Sequence, residues 1–275
     1  MEQPKFGTYA PSFWVKALLA LSQNTVMGRG QARRWLSGLL YRAHKGPLDA
    51  QLWGEPARIH VGANNNEVKA LLNPKTFNRA ELETLRGNLP KRGGVFVDIG
   101  ANVGMVSLAA RAHLKTGIIL SIEPQPAMFD RLVFNLHQAG SREGITHKLV
   151  KAAIGPLEGQ AELAIPGQPG MASLAGLGQS PVQTVSVALR PLEAVCREEG
   201  LETIDVLKID VEGFEDQALL PFFETAREEL WPRIVIMEHC HSGRWSRDVI
   251  SALIQAGYSE LRRDGQNICL ERRDQ

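Results

Sequence analysis

The sequence predicts an α/β fold built on a mostly parallel β-sheet. From Val95 onward, short apolar runs alternate with helical patterns, and the runs are apolar throughout rather than at every second position. Strands of that kind are buried on both faces, as in sheets that helices cover on either side. A glycine turn at 100–104 follows the first run and leads directly into a helical pattern, which is typical of the ligand-binding edge of open α/β sheets.

The region from residue 93 to residue 275 carries this pattern and is predicted to form the main domain. Its last segment, 257–272, predicts two antiparallel strands around Asp264 and Gly265, so the sheet should end in a reversed hairpin. The predicted parallel strands are 95–99, 118–122, 147–154, 204–209 and 234–237, with helices at 103–112, 126–139 and 245–256 and one directly after 204–209.

The alternation of apolar runs and helical patterns begins after Gly93-Gly94. Residues 1–92, which precede it, are predicted to form a separate helical and hairpin extension. The hairpin is expected from the apolar stretches 57–62 and 67–72, which flank an asparagine-rich turn.

Within the main domain, the segments 160–165 and 182–188 predict a second, inserted hairpin. The loop between them, 166–181, is rich in Gly and Pro, and a loop of that length is either a lid over a ligand or a surface segment.

Composition sets limits on the class of protein. The 275 residues are 44% apolar and 22% charged with a net charge of +1, which is typical of a globular chain without a chain-wide field for nucleic acid. No apolar run approaches the ~18 residues of a membrane-spanning helix. Three cysteines without Cys-x-x-Cys spacing argue against a disulfide framework and a cysteine zinc cage, so we expect a cytoplasmic protein.

The charge is unevenly distributed. Residues 1–48 hold seven basic residues against Glu2 alone, a net charge of +6, whereas the remainder holds 24 basic and 29 acidic residues. Apolar residues of the same segment recur near helical spacing. A basic amphipathic helix can lie on an anionic membrane, which would make the protein a peripheral membrane protein. The alternative is a helix pair that packs on the main domain or on a second subunit.

The glycine turn and the acid after the second strand predict a nucleoside site. Gly100 lets the backbone turn sharply, and Gly104 allows the following helix to pack near the strand. Glu123 follows Gly104 by 19 residues and ends the second strand, where a carboxylate can accept hydrogen bonds from a ribose diol.

Asp98 narrows the choice of ligand. The full Gly-x-Gly-x-x-Gly fingerprint is missing, and a carboxylate directly before the turn opposes a pyrophosphate. The same carboxylate suits a ligand that carries an ammonium and a sulfonium group. S-adenosylmethionine (SAM) has both groups and no phosphate.

Three segments of the chain resemble the class I SAM-dependent methyltransferases, and specifically the FkbM family. They are Phe96-Val97-Asp98-Ile99-Gly100-Ala101-Asn102-Val103-Gly104, Ile122-Glu123-Pro124-Gln125-Pro126 and Leu207-Lys208-Ile209-Asp210-Val211-Glu212-Gly213-Phe214-Glu215. The likeness covers about residues 93–240 and leaves residues 1–50 outside.

The resemblance implies a Rossmann-like, seven-stranded, mostly parallel sheet and methyl transfer, usually to an oxygen of a sugar, a glycan or a small natural product. It also implies the cofactor contacts. Glu123 would hold the ribose between Pro124 and Gln125, and adenine would lie near Ala153, where the acid frequent in this superfamily is missing. The methionine end would be lined by Asp98, Gly100, Asn102 and Gly104. Ala101 would also contact the cofactor, and Asp210 would lie beside the methyl group.

A second group of polar residues follows the fourth and fifth strands. Asp210 and Glu212 follow the fourth, and Glu238, His239 and His241 follow the fifth, so the two strand ends should bring them together. Two chemistries can use this group. In one, His239 or His241 is the general base that removes a hydroxyl proton, with Asp210 and Glu212 beside it.

In the other chemistry, Asp210, Glu238 and a histidine hold a divalent metal ion that lowers the pKa of a bound hydroxyl. Metal-dependent sugar and catechol methyltransferases carry an Asp-Asn pair after the fifth strand. That pair is missing from this sequence, so a metal is not favoured.

Three other functions compete with O-methylation. A nucleic-acid methyltransferase would need a basic face, but residues 49–275 are net acidic and lack Asn-Pro-Pro-Tyr-like and Pro-Cys motifs. A nicotinamide dehydrogenase is opposed by Asp98 and by the missing middle glycine. A non-catalytic SAM-binding scaffold is opposed by the intact set of Asp98, Glu123 and Asp210.

Overall fold

A computed structural model describes residues 3–63, 65–138, 140–165, 173–174 and 183–273. The strands are β1 (Gly46–Leu52), β2 (Glu55–Val61), β3 (Gly94–Ile99), β4 (Gly117–Ile122), β5 (Ile145–Val150), β6 (Ala153–Ile154), β7 (Gly159–Ile165), β8 (Ser173–Leu174), β9 (Gln183–Arg190), β10 (Val206–Ile209), β11 (Ile234–Glu238), β12 (Tyr258–Arg263) and β13 (Asn267–Arg272). The α-helices are α1 (Phe13–Asn24), α2 (Gly30–Ala43), α3 (Asn65–Leu72), α4 (Arg79–Asn88), α5 (Met105–His113), α6 (Pro126–Val133), α7 (Leu192–Glu198), α8 (Glu215–Thr225) and α9 (Val249–Gln255).

The predicted main sheet is present and has the predicted ending. Among the described residues it holds seven strands in the order β12-β13-β11-β10-β3-β4-β5. The strands from β11 to β5 are mutually parallel, and the β12–β13 hairpin joins β11 antiparallel. The fold is therefore the Rossmann-like α/β fold that the sequence predicts.

The sheet is buried because helices cover both of its faces. All six residues of β3 and all four of β10 are buried, which explains why their sequences are almost continuously apolar. Two apolar clusters result, one on each face. Phe96 belongs to one cluster and Val97 to the other, as the alternation of side chains along a strand requires.

The inserted hairpin forms as predicted, with β7 antiparallel to β9. The predicted third strand, 147–154, divides in two: β5 ends at Val150 in the main sheet, and β6 pairs with β9 in the smaller one. The loop 166–181 lies outside the described residues except for Ser173 and Leu174.

The predicted hairpin of 57–62 with 67–72 is wrong. Residues 55–61 pair instead with β1, across a turn at Trp53-Gly54, and residues 65–72 form helix α3. The stretch 67–72 is too short for its apolar pattern to separate strand from helix. The segment folds as a helix because helical spacing places three apolar side chains on one buried face, namely Val68, Leu71 and Leu72 at i, i+3 and i+4.

The N-terminal extension shares its core with the main domain. One apolar cluster contains Val15, Leu36 and Leu71 of the extension together with Ile119 and Val206 of the main sheet.

Among the residues that the structure describes, none of the helices has both the length and the apolar character that a membrane span requires.

The glycine turn brings two neighbouring strand ends close together. Gly100 has φ +74°, a left-handed conformation that favours glycine, and a Cβ there would collide with the carbonyl oxygen of Asp210. Gly104, at φ +87°, faces helix α6, where a Cβ would lie 2.7 Å from Cδ1 of Leu132. The two glycines therefore allow the ends of β3 and β10 to meet and helix α5 to pack on α6.

Candidate functional site

A solvent-open cavity of about 1080 Å³ lies at the carboxyl edge of the sheet, where β3, β4 and β10 end. That is the edge at which open α/β sheets bind ligands. Of the residues predicted for the site, the cavity is lined by Gly100, Ala101, Asn102, Glu123, Pro124, Gln125, Ala153, Asp210 and Glu212.

Glu123 is held in place by the backbone of the two loops beside it. Its Oε2 accepts a hydrogen bond from the backbone N–H of Asn102 at 2.8 Å, and its Oε1 accepts one from Gln125 at 2.8 Å. Each oxygen keeps further acceptor capacity toward the cavity. Burial raises the pKa of Glu123 to about 7, against the lowering effect of those two hydrogen bonds.

Asp98 does not lie in the cavity wall. Its carboxylate is completely buried below the glycine turn, where Ser107 donates a 2.6 Å hydrogen bond to Oδ2 and the ammonium group of Lys208 lies 3.4 Å from Oδ1. The expectation that Asp98 faces the ammonium group of a ligand is therefore wrong. The cation beside Asp98 is Lys208 of the protein itself.

Lys208 connects the residues of the site, although no motif in the sequence predicted a role for it. Its Nζ lies 3.2 Å from the carbonyl oxygen of Gly100 and 3.6 Å from Oδ2 of Asp210, in addition to Asp98. Burial alone would lower the pKa of Lys208, but Asp98, Asp210 and Glu81 outweigh it and raise that pKa. Lys208 therefore stays protonated and fixes the strand ends beneath the cavity.

Gly104 also lies outside the cavity wall, because it packs helix α5 against α6 rather than facing a ligand. The extension also contributes wall residues that no sequence motif predicted, namely Asn66, Phe77 and Asn78. Ala152, Ile154 and Leu163 add apolar surface around Ala153.

One end of the cavity is strongly acidic. Burial and the neighbouring Asp210 raise the pKa of Glu212, and burial, Asp210 and Glu212 raise the pKa of Glu238 to about 8. Glu212 also has φ +57°, an unusual conformation for a residue with a side chain. Backbone strain of this kind concentrates at functional sites. Glu215 is structural, since it accepts hydrogen bonds from Val211, Gly213 and Trp245.

The two histidines point in different directions. His241 Nε2 lies 3.2 Å from Oε2 of Glu212 and 4.0 Å from Oε2 of Glu238, so His241 belongs to the acidic end of the site. His239 is turned toward the β12–β13 hairpin, with its Nε2 at 2.9 Å from the carbonyl oxygen of Asp264. The strand end therefore brings together Glu212, Glu238 and His241 but not His239.

A group of three potential metal ligands lies beside this end. The ligand atoms of Glu238, Cys240 and His241 lie within 4.8 Å of one another. Such a group can hold a divalent ion through oxygen, sulfur and nitrogen. Asp210, which the sequence placed in a possible metal set, is instead paired with Lys208.

The family model of the FkbM methyltransferase domain matches residues 98–260. The chain belongs to this family. "Methyltransferase sdnD" of Sordaria araneosa is 30% identical over 212 residues, which cover 64% of this chain and 77% of that protein.

Solved methyltransferase structures are also similar to this chain. An O-methyltransferase from Bacillus cereus in complex with S-adenosylhomocysteine (SAH) has a TM-score of 0.40 and 14% identity, over 70% of this chain and 80% of that chain. A precorrin-6y C5,15-methyltransferase from Geobacter metallireducens has a TM-score of 0.42 and 14% identity, over 71% and 89%.

As a member of the FkbM methyltransferase family, the protein is a SAM-dependent methyltransferase, and the residues of the cavity fit that cofactor. Glu123 offers a buried carboxylate with free acceptor capacity at the wall, as a ribose diol requires. Asp210 borders the other end, where a carboxylate suits a ligand with a sulfonium and an ammonium group.

We expect SAH binding to depend on pH through Glu123. Ribose hydroxyls donate to the carboxylate, so the ionised form binds more tightly, and affinity should fall as the pH drops through about 7, the pKa of Glu123. Glu123→Gln should lose about 1.5–3 kcal/mol of binding free energy at pH ~8 and show a flatter pH profile. Isothermal titration calorimetry with SAH at several pH values measures both effects.

The matched control is Glu162→Gln, which removes an exposed carboxylate from β7. It should retain the wild-type affinity and pH profile. An unchanged profile in Glu123→Gln would remove Glu123 from the ribose site.

Proposed function

We propose that the protein transfers the SAM methyl group to a hydroxyl oxygen of a sugar, a glycan or a small natural product. The observation that carries this proposal is a carboxylate of raised pKa, Glu212, in the wall of the cavity. A hydroxyl group must lose its proton as its oxygen attacks, and a base of raised pKa accepts that proton more readily than an ordinary carboxylate.

The cofactor would lie across the glycine turn. Glu123 would accept hydrogen bonds from the ribose, with Pro124 and Gln125 beside it, and Ala153 would contact the adenine from an apolar wall. The loop Gly100-Ala101-Asn102 and Asp210 would border the methionine end. When bound, the cofactor supplies a methyl group on a sulfonium sulfur, which is the electrophile of the reaction.

Glu212 would be the general base, and His241 would be its positioning residue. The imidazole Nε2 lies 3.2 Å from the Glu212 carboxylate, close enough to orient it and to pass its proton on toward solvent. Arg244 donates a 3.2 Å hydrogen bond to the backbone carbonyl of Glu212 and so supports the strained turn. Asp210 stays paired with Lys208, which fixes the wall beside the base.

A nucleic-acid acceptor fits the cavity less well. Its phosphates would meet the carboxylates of Asp210 and Glu212 in the cavity wall, where like charges repel. Neutral hydroxylated acceptors meet no such penalty.

The acceptor atom can be identified directly. The full chain is incubated with SAM labelled with ¹³C at the methyl group, together with a cell extract or a panel of sugars and polyhydroxylated natural products. We expect a new labelled species whose methyl carbon has the NMR shift of a methoxy group. Label on nitrogen or carbon, or in RNA or DNA, would contradict O-methylation, and SAH binding without any labelled product would favour a non-catalytic scaffold.

Substitutions at the acidic end test the base. Glu212→Gln should lower kcat on the order of 10²–10⁴-fold with little change in SAH affinity, because it removes the proton acceptor and not a cofactor contact. The rate of the wild type should rise with pH as Glu212 ionises, above the ordinary glutamate pKa of 4.5. That rise should disappear in Glu212→Gln. Steady-state kinetics with the identified acceptor measure both effects.

The adjacent histidines provide a matched pair of controls. His241→Ala should lower kcat and displace the pH profile, whereas His239→Ala should leave both near wild type. Equal effects of the two changes would contradict the assignment. Loss of activity with a chelator, restored by a divalent ion, would instead assign Glu238, Cys240 and His241 to a metal.

A further inference from the structure

The N-terminal helices expose large apolar side chains to solvent. Phe13, Trp14 and Val26 are each at least 75% exposed, and Leu21 and Trp35 are also exposed. Elsewhere among the described residues, only Leu157, Ile254 and Leu261 are large apolar side chains of comparable exposure. We call the set Phe13, Trp14, Leu21, Val26 and Trp35 the N-terminal face.

Helix α1 has an apolar stripe on each of two sides. Val15 and Leu19 point into the core, as one stripe of a surface helix should. The other stripe would be polar in an ordinary surface helix, but here it holds Phe13, Ala17 and Leu21, four residues apart. A second apolar stripe has no role in packing the fold and is typical of a surface that meets another apolar phase.

The same segment carries positive charge without compensation. Residues 3–48 contain no Asp or Glu, and within the described part of the chain none of their Lys or Arg side chains takes part in an ion pair. Lys16, Arg34 and Arg42 are exposed on α1 and α2. Arg33 also lowers the pKa of Lys69, in addition to the larger effect of burial, so α3 adds a cation to the same region.

We propose that the N-terminal face binds the surface of an anionic lipid bilayer. Trp and Phe prefer the boundary between headgroups and acyl chains, Leu21 and Val26 add aliphatic area, and the basic side chains meet the lipid phosphates. The charge argues against a second copy of this chain, because a symmetric contact would bring two basic segments together.

The face is connected to the active-site cavity through helix α3. Gln23 of α1 donates a 2.7 Å hydrogen bond to the carbonyl oxygen of Leu71, and the Tyr41 hydroxyl of α2 donates one of 3.1 Å to Asn65. The next residue, Asn66, lies in the cavity wall. The helices that would meet the bilayer therefore also hold one wall of the cavity in place.

Vesicle binding by the full chain tests the proposal. We expect the protein to co-sediment with vesicles of phosphatidylcholine mixed with phosphatidylglycerol, to bind pure phosphatidylcholine much more weakly, and to dissociate as salt rises. Its tryptophan emission should shift to the blue on binding, since Trp14 and Trp35 leave water. Equal binding to both kinds of vesicle, or none to the anionic one, would overturn the proposal.

Matched variants distinguish vesicle binding through the N-terminal face from non-specific hydrophobic adsorption of the protein. Lys16→Gln with Arg34→Gln and Arg42→Gln should lower partitioning to anionic vesicles on the order of a hundredfold, and Trp14→Ser with Trp35→Ser should abolish the emission shift. Leu157→Ser and Leu261→Ser remove exposed apolar side chains elsewhere and should bind as wild type. Equal losses in both sets would contradict the proposal.

Two further outcomes would also overturn it. A dimer in sedimentation that Trp14→Ser and Trp35→Ser convert to a monomer, without vesicle binding, would assign the face to a second copy of this chain. Binding of a single-stranded RNA that excludes vesicles would assign it to nucleic acid.

Discussion

The active-site edge of this methyltransferase depends on one buried ammonium group. Lys208 lies on β10, the central strand of the main sheet, and is 6% exposed. It joins Asp98 on β3, the carbonyl oxygen of the glycine turn at Gly100, and Asp210 at the end of its own strand. A buried charge is stable only when it is paired, so these groups hold one another and, with them, the floor of the cavity.

The cavity divides into two ends of different chemistry. At one end, Glu123 is fixed by two backbone N–H groups beside apolar surface, which suits a nucleoside. At the other, Glu212 lines the wall, with Glu238 and His241 close beside it. Burial and neighbouring carboxylates raise the pKa values of Glu212 and Glu238, which suits the proton removal proposed for this end. The N-terminal extension closes one wall through Asn66 and Phe77, and its core is continuous with that of the sheet.

The parts of the site that follow from local sequence were predictable, and the parts that depend on distant contacts were not. The alternation of strands and helices predicted the sheet and its reversed hairpin, because burial on both faces leaves a clear apolar signal. Lys208 had a signal that was not used, namely a lysine inside a buried strand, which must have a partner. The direction of His239 and of His241 depends on the turn after β11 and on Asp264, 25 residues away, so no spacing rule separates them. The wall residues of the extension, such as Asn66, lie on a helix that a short apolar pattern could not distinguish from a strand.

A double-mutant cycle on Lys208 and Asp98 tests the central interaction most directly. The free energies of unfolding of wild type, Lys208→Met, Asp98→Asn and the double variant are measured by urea denaturation. Each single change should cost about 3–5 kcal/mol, because it removes one charge of a buried ion pair and leaves the other with poorer compensation. The double change should cost clearly less than the sum of the two, with a coupling energy of about 1–3 kcal/mol. Single losses that simply add would show that the two groups do not stabilise one another, and would contradict the account of the site.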